Sequence, residues 1–393
     1  MTLPPLSLYV HLPWCERKCP YCDFNSHETA VIPETAYVDA LLADLALDTA
    51  AIGAREVHSV FIGGGTPSLF SAAAIHTLLT GIGERVALAS DVEITLEANP
   101  GSAEAEKFTA FKQAGVNRLS LGIQSFDDDC LARLGRVHDA RQAEAATSHA
   151  RAAGFDSFNL DLMHGLPGQT VDAALRDLAT AIGHQASHVS WYQLTIEPNT
   201  AFYKRPPSLP TEDSLGQIQE QGEALLRNAG YAQYEVSAWS RPGTQCRHNL
   251  NYWTFGDYLG IGAGAHAKLS KLDGTVTRFA KRRQPSDYLT SIANGNCIAS
   301  QHTLSPEDLI GEFAMNALRL NAGFPLTLFA QRTGLPAARL RDILDSLAAR
   351  GLVEVAPGHV ATASATESTT TVSTTALGRR FLDGVVAEFF PDR

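Results

Sequence analysis

The chain has 393 residues, of which 45% are hydrophobic, and it carries a formal net charge of −11 at pH 7. This length and composition can form large apolar cores without disulfide bonds. The acidity argues against a nucleic-acid-binding surface, the N-terminus lacks the features of a signal peptide, and no apolar run reaches the roughly 18 residues of a membrane span. We therefore expect a soluble, cytoplasmic protein that binds no nucleic acid.

From the N-terminus to about residue 195, short apolar runs rich in β-branched residues alternate with amphipathic stretches. Val38, Leu41, Leu42 and Leu45, for example, share one face of a predicted helix. Six strands alternating with helices are typical of parallel βαβ units, so they predict an α/β fold built as a partial (β/α)6 barrel. The six predicted strands are residues 7–11, 57–62, 92–97, 118–123, 157–163 and 188–194.

Beyond Asn199 the alternation weakens, and residues 204–213 are predicted to form a loop that leaves the barrel. An accessory middle region rich in aromatic residues follows. From about Thr303 the pattern is helical again, and it ends in a Thr- and Ser-rich segment at 361–376 that we interpret as a flexible wing or loop of a winged-helix-like domain. The predicted divisions are the barrel at 1–200, the accessory region at 201–300 and the C-terminal domain at 301–393.

Residues suited to ligand binding follow several predicted strands at the point where each strand ends. In parallel α/β architectures, ligands bind at this carboxyl edge of the sheet. The pattern therefore predicts one site at that edge. Its predicted contributors are a cysteine-rich loop after the first strand, the glycine-rich segment 63–67, Glu97, Gln124 and Asp161.

The cysteine-rich loop contains Cys15, Cys19 and Cys22. Three thiolates so close together can hold three corners of a [4Fe–4S] cubane and leave the fourth iron without a protein ligand. The amino and carboxylate groups of S-adenosylmethionine (SAM) would then chelate that open iron. Arg17 and Lys18 add positive charge that favours the thiolate form of the cysteines.

Two alternatives to the cubane remain at this point. One is a structural zinc site with His11 or His27 as the fourth ligand, although zinc sites more often use two separated ligand pairs. The other is a chance cluster of cysteines. Because the remaining three cysteines are scattered along the chain, a disulfide framework is disfavoured.

The C-x-x-x-C-x-x-C spacing, with an aromatic residue before the last cysteine, resembles the signature of radical SAM proteins. Several further segments resemble the oxygen-independent coproporphyrinogen III oxidase family, and together they span most of residues 8–170. The resemblance implies a radical SAM barrel that binds a [4Fe–4S] cluster and SAM. The matching segments are YVHLPWCERKCPYCDF, FIGGGTPSLF, LEANPGS, RLSLGIQSF, LGRVHDARQA and NLDLMHGLPGQT.

The same resemblance implies a set of SAM-binding residues, and several have a physical reason to serve. Glycine lets backbone amides approach a ligand closely, Glu97 and Asp161 can accept hydrogen bonds from an ammonium or a ribose, and Arg136 can pair with a carboxylate. Without the resemblance, a GGGTP segment is more often a tight turn than a ligand site. A lone carboxylate at a strand end is likewise more often a helix cap than a ligand contact. The implied set is Tyr9, Phe24, Gly64, Gly65, Thr66, Glu97, Gln124, Arg136 and Asp161.

Phe24 marks a departure from the oxidases of this family, which carry a further cysteine two residues after the triplet. This position resembles the haem chaperone branch of the family instead. The segment His248-Asn-Leu-Asn-Tyr-Trp253 matches the H-N-x-x-Y-W motif of that branch, and residues 256–266 also match the family. The resemblance therefore implies haem as a third cofactor.

His248 is the leading candidate for a haem-iron ligand, with Tyr252 and Trp253 available to stack on the porphyrin. A histidine beside asparagine and aromatic residues is also typical of a hydrogen-bonded structural corner. Cys246 could supply a thiolate ligand, although an isolated buried cysteine is usually packing. No role is assigned to three further histidines in family-like stretches: His138, His164 and His266.

Two functions follow, and the sequence leaves both open. The first is a haem chaperone that binds haem and a SAM-ligated cluster and transfers haem to acceptor proteins. The second is a radical SAM oxidase that decarboxylates porphyrinogen propionates, so whether the protein is an enzyme stays open. A DNA-binding regulator is disfavoured by the acidity. An electron donor to the cluster and a homodimer are further expectations.

Overall fold

The computed structural model describes residues 3–101, 106–361 and 366–391. Strands and helices alternate through the first half of the chain, which confirms the predicted α/β fold class. Among the described residues the strands are Leu6–Leu12 (β1), Trp14–Cys15 (β2), His27–Glu28 (β3), Val57–Gly64 (β4), Leu88–Ala98 (β5), Arg118–Gln124 (β6), Ser157–His164 (β7), His188–Gln193 (β8), Ala232–Glu235 (β9), Ala238–Ser240 (β10), Asp257–Ile261 (β11), His266–Ser270 (β12), Val276–Lys281 (β13), Ile298–Thr303 (β14), Phe324–Pro325 (β15), Val353–Ala361 (β16) and Thr366–Thr374 (β17).

Many of the helices begin where a Ser, Thr or Asp side chain accepts a hydrogen bond from the first turn, as Thr170 and Asp139 do. In the described part of the chain the α-helices are Glu34–Ile52 (α1), Ala72–Gly83 (α2), Phe108–Gln113 (α3), Asp128–Arg133 (α4), Ala140–Ala152 (α5), Val171–Gly183 (α6), Ala201–Lys204 (α7), Glu212–Asn228 (α8), Arg247–Trp253 (α9), Pro285–Ala293 (α10), Pro306–Ala317 (α11), Leu326–Thr333 (α12), Arg341–Ala349 (α13), Ala376–Arg380 (α14) and Leu382–Ala387 (α15). None of the helices within these described ranges combines the length and the apolar composition that crossing a membrane requires.

Twelve of the described strands form one sheet in the order β14-β13-β12-β11-β1-β4-β5-β6-β7-β8-β10-β9. Strands β1, β4, β5, β6, β7 and β8 are parallel, and they are the six strands that the sequence predicts for the barrel. Strand β11 of the middle region also pairs with β1 in parallel, so this region extends the sheet. The domain boundaries at residues 200 and 300 stay a prediction.

The two faces of the parallel strands differ in chemistry because successive side chains point to opposite sides. On one side, Leu8, Val60, Leu119 and Leu160 are buried in the core that the helices cover. The opposite side carries buried polar groups, and we call it the polar face. Its members are Ser7, Ser59, Glu93, Thr95, Arg118, Ser120, Asn159 and His188.

The C-terminal part forms a second core around Phe313, Phe329, Leu347 and Val372, which confirms the predicted winged-helix-like unit. Helices α11, α12 and α13 precede the antiparallel pair β16 and β17. Much of the segment 361–376 is thus the β-strand β17 and not a loop. Its β-branched threonines and valine favour a strand. Residues 362–365 lie outside the described part of the chain.

Candidate functional site

Two short strands hold the cysteine loop at the carboxyl end of β1. Strand β2 ends at Cys15 and pairs with β3, which begins at His27, so the other two cysteines lie in the loop between them. The backbone N–H of His27 donates to the carbonyl of Pro13 at 2.7 Å, and that of Cys22 donates to the carbonyl of Cys19 at 3.1 Å. The base of the loop is thus fixed to the sheet.

The guanidinium of Arg136 lies next to a sulfur of the cysteine loop. Its Nη1 lies 3.6 Å from the Sγ of Cys19. The guanidinium of Arg17 donates instead to the carbonyls of residues 135 and 136, at 2.6 and 3.1 Å, and Lys18 donates to loop carbonyls. The sequence predicts Arg17 and Lys18 as the source of positive charge, whereas the structure places Arg136 directly at a sulfur.

The three thiols are chemically suited to a metal cluster. All three are free, Cys15 is buried, and Cys19 and Cys22 are partly exposed. Burial raises the pKa of Cys15, and the neighbouring Cys22 and Cys19 raise it further, while hydrogen bonding from Thr66 lowers it. Bound iron would favour the deprotonated form of these thiols.

The two histidines considered as zinc ligands are engaged elsewhere. The Nδ1 of His11 lies 2.9 Å from the hydroxyl of Tyr9, and its Nε2 lies 2.9 Å from the carbonyl oxygen of Asn25. The Nε2 of His27 lies 3.2 Å from the Oδ1 of Asn25. Both ring nitrogens of His11 have partners, so one of these two contacts would have to break before His11 could bind zinc.

The glycine-rich turn packs directly under the cysteine loop. The N–H of Gly65 donates to the carbonyl of Leu12 at 2.8 Å. A Cβ added at Gly65 would lie 2.4 Å from the carbonyl oxygen of Trp14, and Gly64 has a φ of +123°. The N–H of Gly64 donates to Glu97 at 3.1 Å, so the tight turn also reaches the predicted site. Thr66 continues this contact, because its N–H donates to the Trp14 carbonyl at 2.8 Å.

Two carboxylates, Glu97 and Asp161, lie on the polar face in the carboxyl-terminal halves of β5 and β7, which β6 separates. Burial and the neighbouring Asp161 raise the pKa of Glu97 to about 8, while the N–H of Gly64 opposes that rise. Burial also raises the pKa of Asp161, although Ser120 and Asn159 donate to its carboxylate at 2.9 and 2.8 Å. A ligand ammonium or ribose hydroxyl placed between them would stabilise the ionised forms.

Tyr9 and Gln124 lie on β1 and β6, which β4 and β5 separate in the sheet. The ring of Tyr9 stacks on Phe61 with 6.4 Å between centroids. Gln124 has a φ of +68°, an uncommon conformation for a non-glycine residue, and its Oε1 accepts a hydrogen bond from Tyr192 at 3.0 Å. Backbone strain of this kind is concentrated at ligand-binding positions.

Arg136 joins the strand edge to the cysteine loop. Its Nη2 donates to the Oδ1 of Asn99 at 2.7 Å and to the carbonyl of Gly122 at 2.8 Å, and its buried Nε has no partner among the described residues.

Phe24, in contrast, is 66% exposed, and in the described structure no hydrogen bond or ring contact links its side chain to the other predicted site residues.

His248 lies in the interior, on the polar face of the sheet. It is 2% exposed, its Nδ1 lies 3.0 Å from the hydroxyl oxygen of Ser59, and its backbone N–H donates to Glu93 at 3.1 Å. The imidazole ring is 5.1 Å from that of Phe61, and its Nε2 has no partner in the described part of the chain. Burial and the charge of Arg118 lower its pKa to about 3, so the imidazole is neutral.

The other residues of the H-N-x-x-Y-W segment make contacts within the protein. The ring of Tyr252 meets that of Tyr258 edge-on with 4.5 Å between centroids, and the guanidinium of Arg319 lies 4.4 Å from the centroid of Trp253. Burial raises the pKa of Cys246 to about 12, which favours a thiol over a thiolate ligand. These contacts are those of a structural corner, while the unpartnered His248 nitrogen leaves ligand binding open.

The three unassigned histidines lie in different environments. The Nε2 of His138 is 3.1 Å from the carbonyl oxygen of Ile123, and the ring of His164 lies 4.3 Å from that of Trp191. Burial lowers the pKa of His266, which lies at the start of β12. Within the described ranges, no hydrogen bond or ring contact links these histidines to the cysteine loop.

Sequence reasoning missed the polar residues inside the predicted strands. Arg118, Thr95 and Asn159 face the same side as the predicted site, but each lies nearer the amino end of its strand than the predicted site residue does. The signal that could have revealed them is the period-two pattern of segments such as Arg118-Leu-Ser-Leu, in which every second residue is polar within an apolar run.

Replacing Glu97 by Gln is expected to change how stability depends on pH. A carboxyl whose pKa is raised to about 8 on folding stabilises the protein fully below its unfolded value near 4.5, and this contribution is lost as the pH rises through about 8. Without ligands, the free energy of unfolding of the wild type should therefore fall more steeply between pH 5 and pH 8.5 than that of Glu97→Gln. Urea unfolding of both proteins at these two pH values measures the difference. An equal fall in the free energy of unfolding for wild type and variant would contradict the expectation.

Comparison with known proteins assigns the chain to a family. Residues 9–180 match the family model of the radical SAM superfamily, and residues 304–363 match the HemN C-terminal domain. A solved structure of coproporphyrinogen III oxidase (HemN) from Escherichia coli, described as a radical SAM enzyme, has a TM-score of 0.80 and 24% identity, covering 98% of this chain and 90% of that one. At this identity the likeness shows the fold.

Closer relatives carry the name heme chaperone HemW. The protein of that name from Escherichia coli strain K12 is 52% identical over 350 residues, covering 89% of this chain and 92% of that protein. The HemW of Bacillus subtilis strain 168 is 36% identical over 354 residues, covering 88% of this chain and 92% of that protein. The chain therefore belongs to the HemW family, within the radical SAM superfamily.

Proposed function

We propose that this protein is a haem chaperone that binds haem and a SAM-ligated [4Fe–4S] cluster and transfers haem to acceptor proteins. The observation that carries the proposal is 52% identity to a heme chaperone over 89% of the chain. We place its action in the cytoplasm, because all six cysteines are free, as a reducing compartment would keep them. An electron donor to the cluster and a homodimer belong to the same proposal.

Cys15, Cys19 and Cys22 are the proposed cluster ligands. When bound, a [4Fe–4S] cluster supplies an iron with one open coordination position and an electron for cleaving SAM. Arg136 places its positive charge 3.6 Å from the Cys19 sulfur, where it would stabilise the thiolate. Cys15 is the buried member of the three, so the loop would shield part of the cluster from water.

Glu97 and Asp161 are the proposed partners of the polar parts of SAM, together with the backbone of Gly64 and Gly65. Burial is the main cause of their raised pKa values, and an ammonium bound near them would favour the ionised carboxylates. The proposed SAM contacts further include Tyr9, Phe24, Thr66, Gln124 and Arg136, of which Phe24 has the least support because it is 66% exposed.

An oxygen-independent coproporphyrinogen III oxidase is the second candidate function. The observation that favours it is the shared fold, at a TM-score of 0.80 to the HemN oxidase. One sample can separate the two: anaerobically reconstituted protein is titrated with haem and, in parallel, incubated with SAM, a reductant and coproporphyrinogen III. The chaperone proposal expects a Soret band with no porphyrinogen turnover, and turnover without haem binding would overturn it.

Replacing His248 by Ala is expected to weaken haem binding and shift the Soret maximum. The buried Nε2 of this neutral imidazole has no partner among the described residues, so it is free to bind iron. The matched control is His138→Ala, since the Nε2 of His138 already has a backbone carbonyl partner. If His248→Ala binds haem with unchanged affinity and spectrum, the iron ligand lies elsewhere.

A further inference from the structure

Arg118 is a buried cation whose guanidinium forms no hydrogen bond with the other residues that the structure describes. It lies at the start of β6 on the polar face and is 3% exposed. Its Nε has no hydrogen-bond partner, and its guanidinium makes no ion pair within the described part of the chain. Arginine does not lose its proton in proteins, and a buried guanidinium is most stable when its N–H groups also have hydrogen-bond acceptors. The site therefore calls for an anion or for ordered polar contacts.

The nearby carboxylates are already engaged by other groups. The two oxygens of Glu93 accept hydrogen bonds from the N–H groups of Arg247 and His248, each at 3.1 Å. Asp161 accepts from Ser120 and Asn159 at 2.9 and 2.8 Å. Cys246, Glu93 and Asp161 raise the pKa of Arg118 against the effect of burial, but in the described structure no hydrogen bond or ion pair links either acid to its guanidinium. The Nε–H of Arg118 thus has no acceptor among the described residues.

A second unpartnered polar group lies beside this cation. Thr95 is the register partner of Arg118 on the adjacent strand, it is fully buried, and its Oγ1 has no hydrogen-bond partner in the described structure. Phe61 is the register partner of Thr95 on the other side and contacts the ring of His248, whose Nε2 is also unpartnered. Three unsatisfied polar atoms therefore share one small region of the polar face.

Neighbouring polar groups of the same face are, in contrast, paired with one another. The two ring nitrogens of His188 lie 2.6 Å from the Oδ1 of Asn159 and 2.8 Å from the hydroxyl of Tyr234. The hydroxyls of Ser7 and Ser59 lie 2.7 Å apart. Buried polar groups in folded proteins are normally satisfied, so neighbouring unpartnered atoms on one face are a place where a bound molecule or ordered water can supply the partner.

We propose that Arg118 and Thr95 form a carboxylate-binding subsite inside the partial barrel, beneath the predicted SAM site. A carboxylate can accept two parallel hydrogen bonds from a guanidinium and a third from a hydroxyl. Thr95 precedes Glu97 by two residues on the same face of β5, which is a rise of about 7 Å along the strand. A molecule anchored at the subsite would therefore extend toward the SAM-binding edge.

The carboxylate could belong to a propionate of a tetrapyrrole or to a free organic acid. In the first case the subsite deepens the proposed haem-binding function and rests on it; in the second it stands independently. His248 is not part of the proposed carboxylate-binding subsite, because its unpartnered Nε2 is the predicted ligand of the haem iron.

The test measures thermal unfolding of the reconstituted full-length protein with sodium propionate, with uncharged propionamide, and with sodium chloride at equal ionic strength. We expect a saturable rise in Tm with propionate alone. Arg118→Met should abolish this rise, and Thr95→Val should weaken the apparent affinity about tenfold through the loss of one hydrogen bond. Thr147→Val is the matched control, because its buried hydroxyl bonds to a helix carbonyl in α5.

An equal rise with propionamide, or no rise with propionate in the wild type, would overturn the subsite. If Arg118→Met fails to fold, Thr95→Val decides, and an unchanged affinity in that variant overturns the proposal. Haem and its dimethyl ester then separate the two sources of carboxylate. Tighter binding of haem than of the ester, lost in Arg118→Met, identifies a propionate, whereas a propionate effect in a protein that binds no haem supports the subsite while contradicting the chaperone function.

Discussion

Replacing Cys15, Cys19 and Cys22 together by Ala is expected to remove all bound iron and the visible iron–sulfur absorbance from anaerobically reconstituted protein. The three thiols are free, and they are held in one loop by the pairing of β2 with β3. With all three sulfurs gone, an iron–sulfur cubane loses each of its protein ligands. Iron and sulfide analysis, together with absorption spectra, measures the outcome.

Cys130→Ala is the matched control for the triple variant. Cys130 is also buried, but it lies in α4, and burial raises its pKa to about 12. This variant should keep the wild-type iron content of about four irons per chain. The same content in the triple variant would refute the assignment of the ligands.

Gly65→Ala is expected to destabilise the protein by about 3 kcal/mol and to lower the yield of reconstituted cluster. The new Cβ would lie 2.4 Å from the carbonyl oxygen of Trp14 and 2.9 Å from the carbonyl carbon of Pro13, and both of these neighbours are backbone atoms. Backbone cannot rotate away as a flexible side chain can. The displaced residues directly precede Cys15, so the strain reaches a cluster ligand.

Urea unfolding of the protein without cluster measures the stability of Gly65→Ala, and iron content after reconstitution measures the effect on the site. Gly216→Ala is the matched control, because Gly216 is exposed within α8 and a Cβ there meets nothing within 4 Å. An Ala in a helix interior should stabilise by about 0.5–1 kcal/mol relative to Gly. Equal stability of the two variants would contradict the described packing of the glycine turn.

The parallel strands and the edge that holds the candidate site were predictable because local sequence determines both. Runs such as residues 118–123 carry a large aliphatic residue at every second position and are bounded by helical stretches. The carboxyl ends of parallel strands meet at one edge, which places Glu97 near Asp161 without further information. The three cysteines follow one such strand directly.

The arrangement of the middle region was not predictable in the same way. Strand β11 pairs with β1 across about 250 residues of chain, and the short antiparallel strands beside it carry no strong periodic signal. The interior position of His248 depends on helix α9 packing against β4, which is a tertiary contact. Its motif alone therefore left both a haem ligand and a structural corner open.

Arg118 and Thr95 escaped prediction for a different reason. Within an apolar strand, one Arg or Thr is as compatible with an exposed edge as with a buried face. Only the register of β5 and β6 places the two side by side on the polar face, and only the contacts of the described residues show that the Arg118 Nε and the Thr95 Oγ1 have no hydrogen-bond partner there.

The most direct test of the account is EPR and Mössbauer spectroscopy of oxygen-free, reconstituted protein, recorded with and without SAM. Three cysteine ligands with one open iron predict a [4Fe–4S] spectrum that changes when SAM is added, because SAM would occupy the open position. A spectrum with no iron cluster, or a zinc content in its place, would contradict the account.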